Sequence, residues 1–153
     1  MMKRSVVHGS FTIERVYVDA TPARVFDAFA NPESKAAWFH GPAEWRKQEH
    51  TMDFRVGGSE RSVGGPKTGP TSRFESHYYD IVPNERIIYA YEMHLDDAKI
   101  SVSLATFEFK PEGTGTRFVM HEDGAFLDGY DDGATRERGS RGLVEQLAAY
   151  LSR

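Results

Sequence analysis

Cysteine is absent from this chain of 153 residues, which excludes disulfide bonds and metal sites built on thiolates. Basic residues are not in excess either. The formal net charge is -4, with both signs interspersed, and this argues against nucleic acid as a partner. No apolar run approaches the roughly 20 residues of a membrane-spanning helix, and residues 1–10 lack the apolar stretch of a secretion signal. We therefore expect a cytoplasmic protein without a membrane span.

Aromatic residues, in contrast, are abundant. The chain contains 10 Phe, 7 Tyr and 2 Trp, which is more flat apolar surface than a small core requires. A chain of this length is the size of one domain and buries roughly 70% of its unfolded surface. The aromatic residues are therefore expected either to fill a single core or to line a cavity within it.

Three segments carry helix signals. Thr21-Pro22 is a typical N-cap followed by a first helical residue, and Asn31-Pro32 ends that helix. A second short helix is predicted over residues 32–39, because the following Gly41-Pro42 cannot continue it. The tail from about residue 132 to 153 has leucines at intervals of four, which predicts one long amphipathic helix.

Strand signals occupy the rest of the chain. Short segments with alternating polarity are separated by Gly, Pro, Asn and Asp, and this spacing is typical of antiparallel hairpins. The fold class is therefore α+β. The seven predicted strands cover residues 11–19, 44–54, 57–63, 72–82, 85–94, 99–110 and 115–123.

Several motifs in this order resemble those of the START-like (SRPBCC) superfamily, which includes the birch pollen allergen and polyketide cyclases. They are most similar to the branch related to the C-terminal domain of the heat-shock protein 90 ATPase activator. The motifs are ATPARVFDAF with NPE (residues 20–33), WFHGP (38–42), DFRVGG (53–58), YDIVPNERIIY (79–89) and GTGTR (113–117). Two departures are Leu143, where family members often have tryptophan, and Ser76, where they have glycine.

The resemblance implies a helix-grip fold. In that fold a curved antiparallel sheet of seven strands is packed against a long C-terminal helix, with two short helices after strand 1. We expect a flexible N-terminal segment over residues 1–10 and one START-like domain over residues 11–153. The resemblance implies little about chemistry, because one scaffold carries transport, receptor, cyclase and co-chaperone functions.

Polar residues offer few catalytic or metal-binding patterns. The six histidines lack metal-ligand spacing, so we predict neither a metal site nor a cofactor. His77, His94 and His121 fall on neighbouring predicted strands, where two of them could meet. Asp80 and Glu122 are the carboxylates that could face inward and act as acid or base, although rim positions explain them as well.

The strongest functional hypothesis comes from apolar residues that different elements bring around one cavity. These candidate ligand-binding residues could equally be plain core. They are Trp38, Phe39, Phe54, Phe74, Tyr78, Tyr91, Met93, Met120 and Phe126.

The leading prediction is a protein without a catalytic centre that binds a small aromatic or lipid-like molecule between sheet and helix. One alternative is a co-chaperone-like module that contacts a chaperone or another protein through its surface. The other is a small enzyme of cyclase or hydrolase type acting on a polyketide-like substrate. Polar edge strands favour a monomer or a weak homodimer.

Overall fold

The structure is a computed structural model that describes residues 3–153. Over these residues the element order is β1 (Val6–Tyr17), α1 (Pro22–Ala30), α2 (Pro32–Trp38), β2 (Glu49–Met52), β3 (Ser59–Gly64), β4 (Ser72–Val82), β5 (Arg86–Leu95), β6 (Ala98–Glu112), β7 (Gly115–Leu127) and α3 (Gly133–Leu151). The strands form one antiparallel sheet in the order β1-β7-β6-β5-β4-β3-β2. The predicted α+β helix-grip fold is confirmed.

The helices begin at capping residues. The Thr21 side chain accepts a hydrogen bond from a backbone N–H of the first turn of α1. Asn31 ends α1 and caps α2, where its side chain accepts two backbone N–H groups. Asp132 caps α3 in the same way. Each cap satisfies N–H groups that have no partner within the helix, so these short polar residues set where the helices start.

Two strands, β1 and β2, differ most from the prediction. β1 begins at Val6 rather than at residue 11, because residues 6–10 pair with the extended end of β7 at residues 123–127. β2 is limited to Glu49–Met52, whereas a strand over 44–54 was expected. The backbone N–H of Trp45 turns back to Pro42, and that of Arg46 bonds to the Gly65 carbonyl, so residues 44–48 form a loop.

The inner face of the sheet carries the core, in which Phe26 and Phe29 of α1 pack against Phe107, Phe109 and Phe118 of the central strands. A register shift between Tyr78 and Asp80 marks a β-bulge in β4, and bulges bend the strand that contains them.

The bulge explains why the possible inward position of Asp80 is wrong. Its carboxylate lies at the surface, paired with Arg86.

α3 is held at several points along its length. At its start, Gly133 lies so close to Gly9 of β1 that a methyl group on Gly9 would be 2.8 Å from the Gly133 Cα. Further along, the Tyr17 hydroxyl donates to the Val144 carbonyl at 3.0 Å, and the Gln146 amide donates to the Trp38 carbonyl at 2.6 Å. None of the helices within residues 3–153 is long and apolar enough to cross a membrane.

Candidate functional site

A cavity of about 440 Å³ lies between the inner face of the sheet, α2, α3 and the loop that follows α2. Its volume falls in the range of small-molecule sites, about 300–1,000 Å³. Small side chains on both sides of the cavity leave this space unfilled, since a Gly or Ser occupies little of the volume between packed elements. These are Ser62, Gly64 and Ser72 on the strands, with Gly139, Ser140 and Gly142 on α3.

Six of the nine predicted cavity residues lie on its wall. They come from α2 and its C-cap, from β4, from β5 and from β7, which the fold brings around one space as expected. They are Trp38, Phe39, Phe74, Tyr91, Met93 and Met120.

The other three predicted residues pack beside the cavity. Phe54 lies between the rings of Phe26 and Tyr78, with ring centres 5.7 and 5.1 Å away. The Tyr78 hydroxyl points to the Glu60 carboxylate. Phe126 is buried at the end of β7, with its ring 5.2 Å from the Arg136 guanidinium carbon. These side chains support the site rather than line it.

The cavity wall also contains aromatic residues that the prediction omitted. The five are Phe29, Trp45, Tyr89, Phe107 and Phe118. Four of them belong to strong apolar patterns that predict core, and only the curvature of the sheet shows that the core opens onto a cavity. Trp45 lies in a stretch predicted as strand, from which its place on the cavity wall could not be derived.

One polar group at the cavity is the Glu60 cluster, formed by Glu60, Lys35, His50 and Tyr78. Glu60 is 1% exposed, and one of its oxygens accepts from Lys35 Nζ at 2.9 Å and from the Tyr78 hydroxyl at 2.7 Å. The other oxygen lies 2.8 Å from His50 Nε2. Burial would raise the pKa of Glu60, but Lys35, His50 and Tyr78 outweigh it and lower the pKa to about 2.

Lys35 of this cluster is buried among aromatic rings and is part of the cavity wall. Its Nζ lies 4.4 Å from the centre of the Phe39 ring and 5.5 Å from that of Phe29. Contacts between an ammonium and ring faces stabilise the cation, and the ion pair with Glu60 neutralises it. The signal for this pair in the sequence is weak, because polar residues occupy both the exposed and the buried face of β3.

A second polar group, the Glu122 cluster, is formed by Glu122, Tyr91, Arg136, Asp131 and Ser101. One oxygen of Glu122, Oε2, accepts from the Tyr91 hydroxyl at 2.8 Å and lies 3.7 Å from Arg136 Nη1. Arg136 donates to Tyr91 at 2.9 Å, to Ser101 at 2.8 Å and to Asp131 at 2.9 Å. Three members of the cluster line the cavity: Tyr91, Glu122 and Arg136.

Glu122 is the predicted inward carboxylate that does lie inside. Burial raises its pKa above the ordinary value, although Tyr91 and Arg136 oppose the shift. Its Oε1 atom has no hydrogen-bond partner among residues 3–153. The Ser103 hydroxyl lies near enough to lower the pKa slightly, yet the two groups do not meet in hydrogen-bond geometry. Such a carboxyl can accept a hydrogen bond or exchange a proton.

The histidines of the strands do not come together. His77 faces solvent opposite Ala90, and His94 lies beside Glu92. His121 is on the outer face, where it contacts Thr12 and Asp123. In the part of the chain that the structure describes, no three His, Cys, Asp or Glu side chains are grouped so that they could hold a metal ion.

Solved structures similar to this chain support the fold. An uncharacterised protein from Rhizobium leguminosarum is 43% identical, with a TM-score of 0.92 and 99% of each chain covered. The Mll3558 protein from Rhizobium loti is 44% identical, with a TM-score of 0.86 over 95% of this chain and 99% of that one. An AHSA1-like protein from Aeromonas hydrophila shares 18% identity and a TM-score of 0.69, covering 94% and 92% of the two chains, which shows a common fold.

The search of curated proteins found no match. The profile of the family described as Activator of Hsp90 ATPase homolog 1-like protein, however, matches residues 19–152, which is most of the sequence and includes every element that lines the cavity. The chain therefore belongs to the Activator of Hsp90 ATPase homolog 1-like family, within the START-like superfamily that its motifs resemble.

Proposed function

We propose that this protein binds a small hydrophobic molecule, aromatic or lipid-like, in the cavity between the sheet and α3. The observation that carries the proposal is the cavity itself, about 440 Å³ in volume and lined mainly by aromatic and aliphatic side chains. Sites of this size and composition bind small molecules through burial of apolar surface, and a few polar groups orient the ligand. The members of the Glu122 cluster that line the cavity, Tyr91, Glu122 and Arg136, are such polar groups.

The wall favours planar ligands in particular. Trp38, Phe39, Phe74 and Tyr91 form a chain of contacts along one side, with neighbouring ring centres 5.0 to 5.7 Å apart. Aromatic faces and edges at such distances interact favourably with another ring placed against them. The co-chaperone-like and cyclase-like alternatives stay predictions, because neither has a comparable arrangement of residues in its support.

Calorimetric titration with flavone, a planar aromatic molecule, tests the proposal. We expect saturable binding to the wild-type protein. Replacing Leu143 on the cavity wall with the larger tryptophan should weaken binding at least about tenfold, because the new ring occupies ligand space. The matched control is Ala149→Trp, which adds the same side chain to an exposed position of α3 outside the cavity and should leave the affinity unchanged.

Two results would overturn the proposal. One is the absence of flavone binding to a folded wild-type protein. The other is equal weakening of binding by the two tryptophan variants, which would place the ligand somewhere other than the cavity. Circular dichroism melting curves of both variants show whether each one is folded.

A further inference from the structure

A hydroxyl, an imidazole and a carboxylate form a chain of hydrogen bonds on the outer face of the sheet. Thr12 Oγ1 of β1 lies 2.8 Å from Nδ1 of His121, the residue directly opposite on β7. His121 Nε2 lies 3.1 Å from Asp123 Oδ2. The other oxygen of Asp123 accepts from the Ser10 hydroxyl at 2.8 Å, so Ser10 holds the carboxylate that orients the imidazole.

The carboxylate determines the direction of these bonds. An ionised carboxylate only accepts, so His121 donates from Nε2 to Asp123. In the neutral imidazole Nδ1 is then the acceptor, and the Thr12 hydroxyl donates to it. A hydroxyl that donates to an imidazole oriented by a third group is the arrangement of an activated nucleophile. Serine hydrolases use it with the roles of the two ring nitrogens exchanged.

A substrate can reach these groups from solvent. Thr12 is exposed, and the side chains of His121 and Asp123 are 44% and 57% exposed. β1 is also an edge of the sheet, so alternate N–H groups along it have no strand partner among the described residues. Such N–H groups are donors for negative charge that develops on a substrate oxygen.

An apolar strip, formed by Leu104, Val102, Leu127 and Val6, adjoins the chain of hydrogen bonds on the same face. Leu104 lies directly opposite Asp123, and Val6 is paired with Leu127 at the far end. Val6, Val102 and Leu104 are exposed. Side chains directly opposite each other in an antiparallel pair are about 4.5–5.5 Å apart at Cβ, so a hydrocarbon chain on the strip begins beside Asp123. Exposed apolar surface of this kind often marks a binding site.

We propose that Thr12 accepts the acyl group of a medium-chain ester, with His121 as the base and the apolar strip as the binding surface for the chain. Thr12 Oγ1 bonds to the carbonyl carbon while its proton passes to His121 Nδ1. The bond from that carbon to the alcohol oxygen then breaks, and His121 returns the proton to the alcohol. The products are acyl-Thr12 and the free alcohol. Asp123 is a positioning residue.

Release of p-nitrophenol from p-nitrophenyl octanoate measures the reaction, even where water then removes the acyl group. Thr12→Val keeps the shape of the side chain, suits a strand and should lower the rate at least about tenfold, below the 10²- to 10⁴-fold typical of general-base catalysis because the site is open to water. The matched control is Thr106→Val, which removes the hydroxyl opposite His121 on β6 and should keep the rate. Peptide mapping by mass spectrometry after an acid quench should find the acyl group on Thr12.

Further variants test the other roles. His121→Gln should lower the rate as much as Thr12→Val. Asp123→Asn should lower it less, and Asp123→Glu, which keeps a carboxylate, should recover part of the loss, whereas a merely structural role would give no recovery. Leu104→Ser should lower the rate with the octanoate ester and leave the rate with p-nitrophenyl acetate unchanged.

Three results would overturn the inference. Equal rates in Thr12→Val and Thr106→Val would show that Thr12 is not the acceptor. An acyl group found only on His121 or on lysines would place the reaction elsewhere. Equal loss with both esters in Leu104→Ser would exclude the apolar strip as the acyl site. Flavone binding should be the same in Thr12→Val and wild type, because the outer face is separate from the cavity, so a failure here leaves the proposed function standing.

Discussion

Two glutamates on the inner face of the same sheet have pKa values that are shifted in opposite directions. Glu60 and Glu122 are each 1% exposed, and burial acts on both carboxyls in the same direction. Around Glu60, three partners lower the pKa to about 2. Around Glu122, the opposing groups are weaker, and the pKa stays above its ordinary value. The difference comes from the partners and not from depth.

The contrast separates a fully paired buried network from an incompletely paired one. Both oxygens of Glu60 are bonded, and its charge is matched by Lys35, so the Glu60 cluster joins α2 to β2, β3 and β4 as one satisfied network. Glu122 keeps one oxygen without a hydrogen-bond partner among the described residues. Fully satisfied buried networks make a structure rigid, whereas proteins keep incompletely satisfied groups mainly at functional or strained sites.

The largest expected effect comes from removing the charge of Glu60. Glu60→Gln leaves the Lys35 ammonium buried at 1% exposure without its counter-ion, and breaking a buried pair in this way costs about 3–5 kcal/mol. We expect that loss in the free energy of unfolding measured with urea at neutral pH. Glu122→Gln is the matched control and should differ from wild type by at most about 1 kcal/mol, because burial already disfavours its charge. Equal losses of unfolding free energy in the two variants would contradict the difference proposed between Glu60 and Glu122.

The dependence of stability on pH should separate the two glutamates further. The folded-state pKa of Glu60 is lowered from 4.5 to about 2, so its contribution is present above 4.5 and is lost as the pH falls towards 2. The size of this contribution is about 3 kcal/mol. For Glu122 the pKa is raised, so its contribution is present below 4.5 and is lost as the pH rises through the folded-state value.

Urea unfolding at a series of pH values measures both contributions. The difference in the free energy of unfolding between wild type and Glu60→Gln should shrink as the pH falls. The difference between wild type and Glu122→Gln should change in the opposite sense, with the variant becoming less stable relative to wild type as the pH falls. Slopes of the same sign in the two variants would show that Glu60 and Glu122 do not titrate in opposite directions.

The sequence predicted the fold well because helix caps and strand alternation are local signals. Thr21, Asn31 and Asp132 lie where the helices start, and the turn residues separate the strands that pair. The errors occur where pairing with residues far away in the sequence determines the bounds of a strand or the face that a side chain occupies. The first residues of β1 join the sheet because the end of β7 extends to meet them, and the bulge that turns Asp80 outward depends on β5.

The candidate site was only partly predictable for the same reason. Apolar residues such as Phe74 and Met120 belong to alternating patterns, and the resemblance indicated which elements surround the cavity. Glu60, Lys35 and Arg136 were missed. Their contacts include partners 18, 25 and 45 residues away, and no local pattern distinguishes a buried charge from a solvated one. For Arg136 a faint signal exists: it precedes Ser140, Leu143 and Leu147 on one stripe of α3.

The smallest expected effect concerns the two tyrosines that donate to these glutamates. Tyr78→Phe and Tyr91→Phe each remove one hydrogen bond to a carboxylate, which should cost about 1–2 kcal/mol at neutral pH.

The two losses should respond differently to acid. Glu60 stays ionised well below pH 4.5, so the cost of Tyr78→Phe is expected to hold between neutral pH and pH 5. Glu122 takes up a proton more readily and then needs its donor less, so the cost of Tyr91→Phe should fall over that interval. Urea unfolding of both variants at the two pH values measures the change, and a Tyr91→Phe cost that is independent of pH would mean that Glu122 is held as firmly ionised as Glu60.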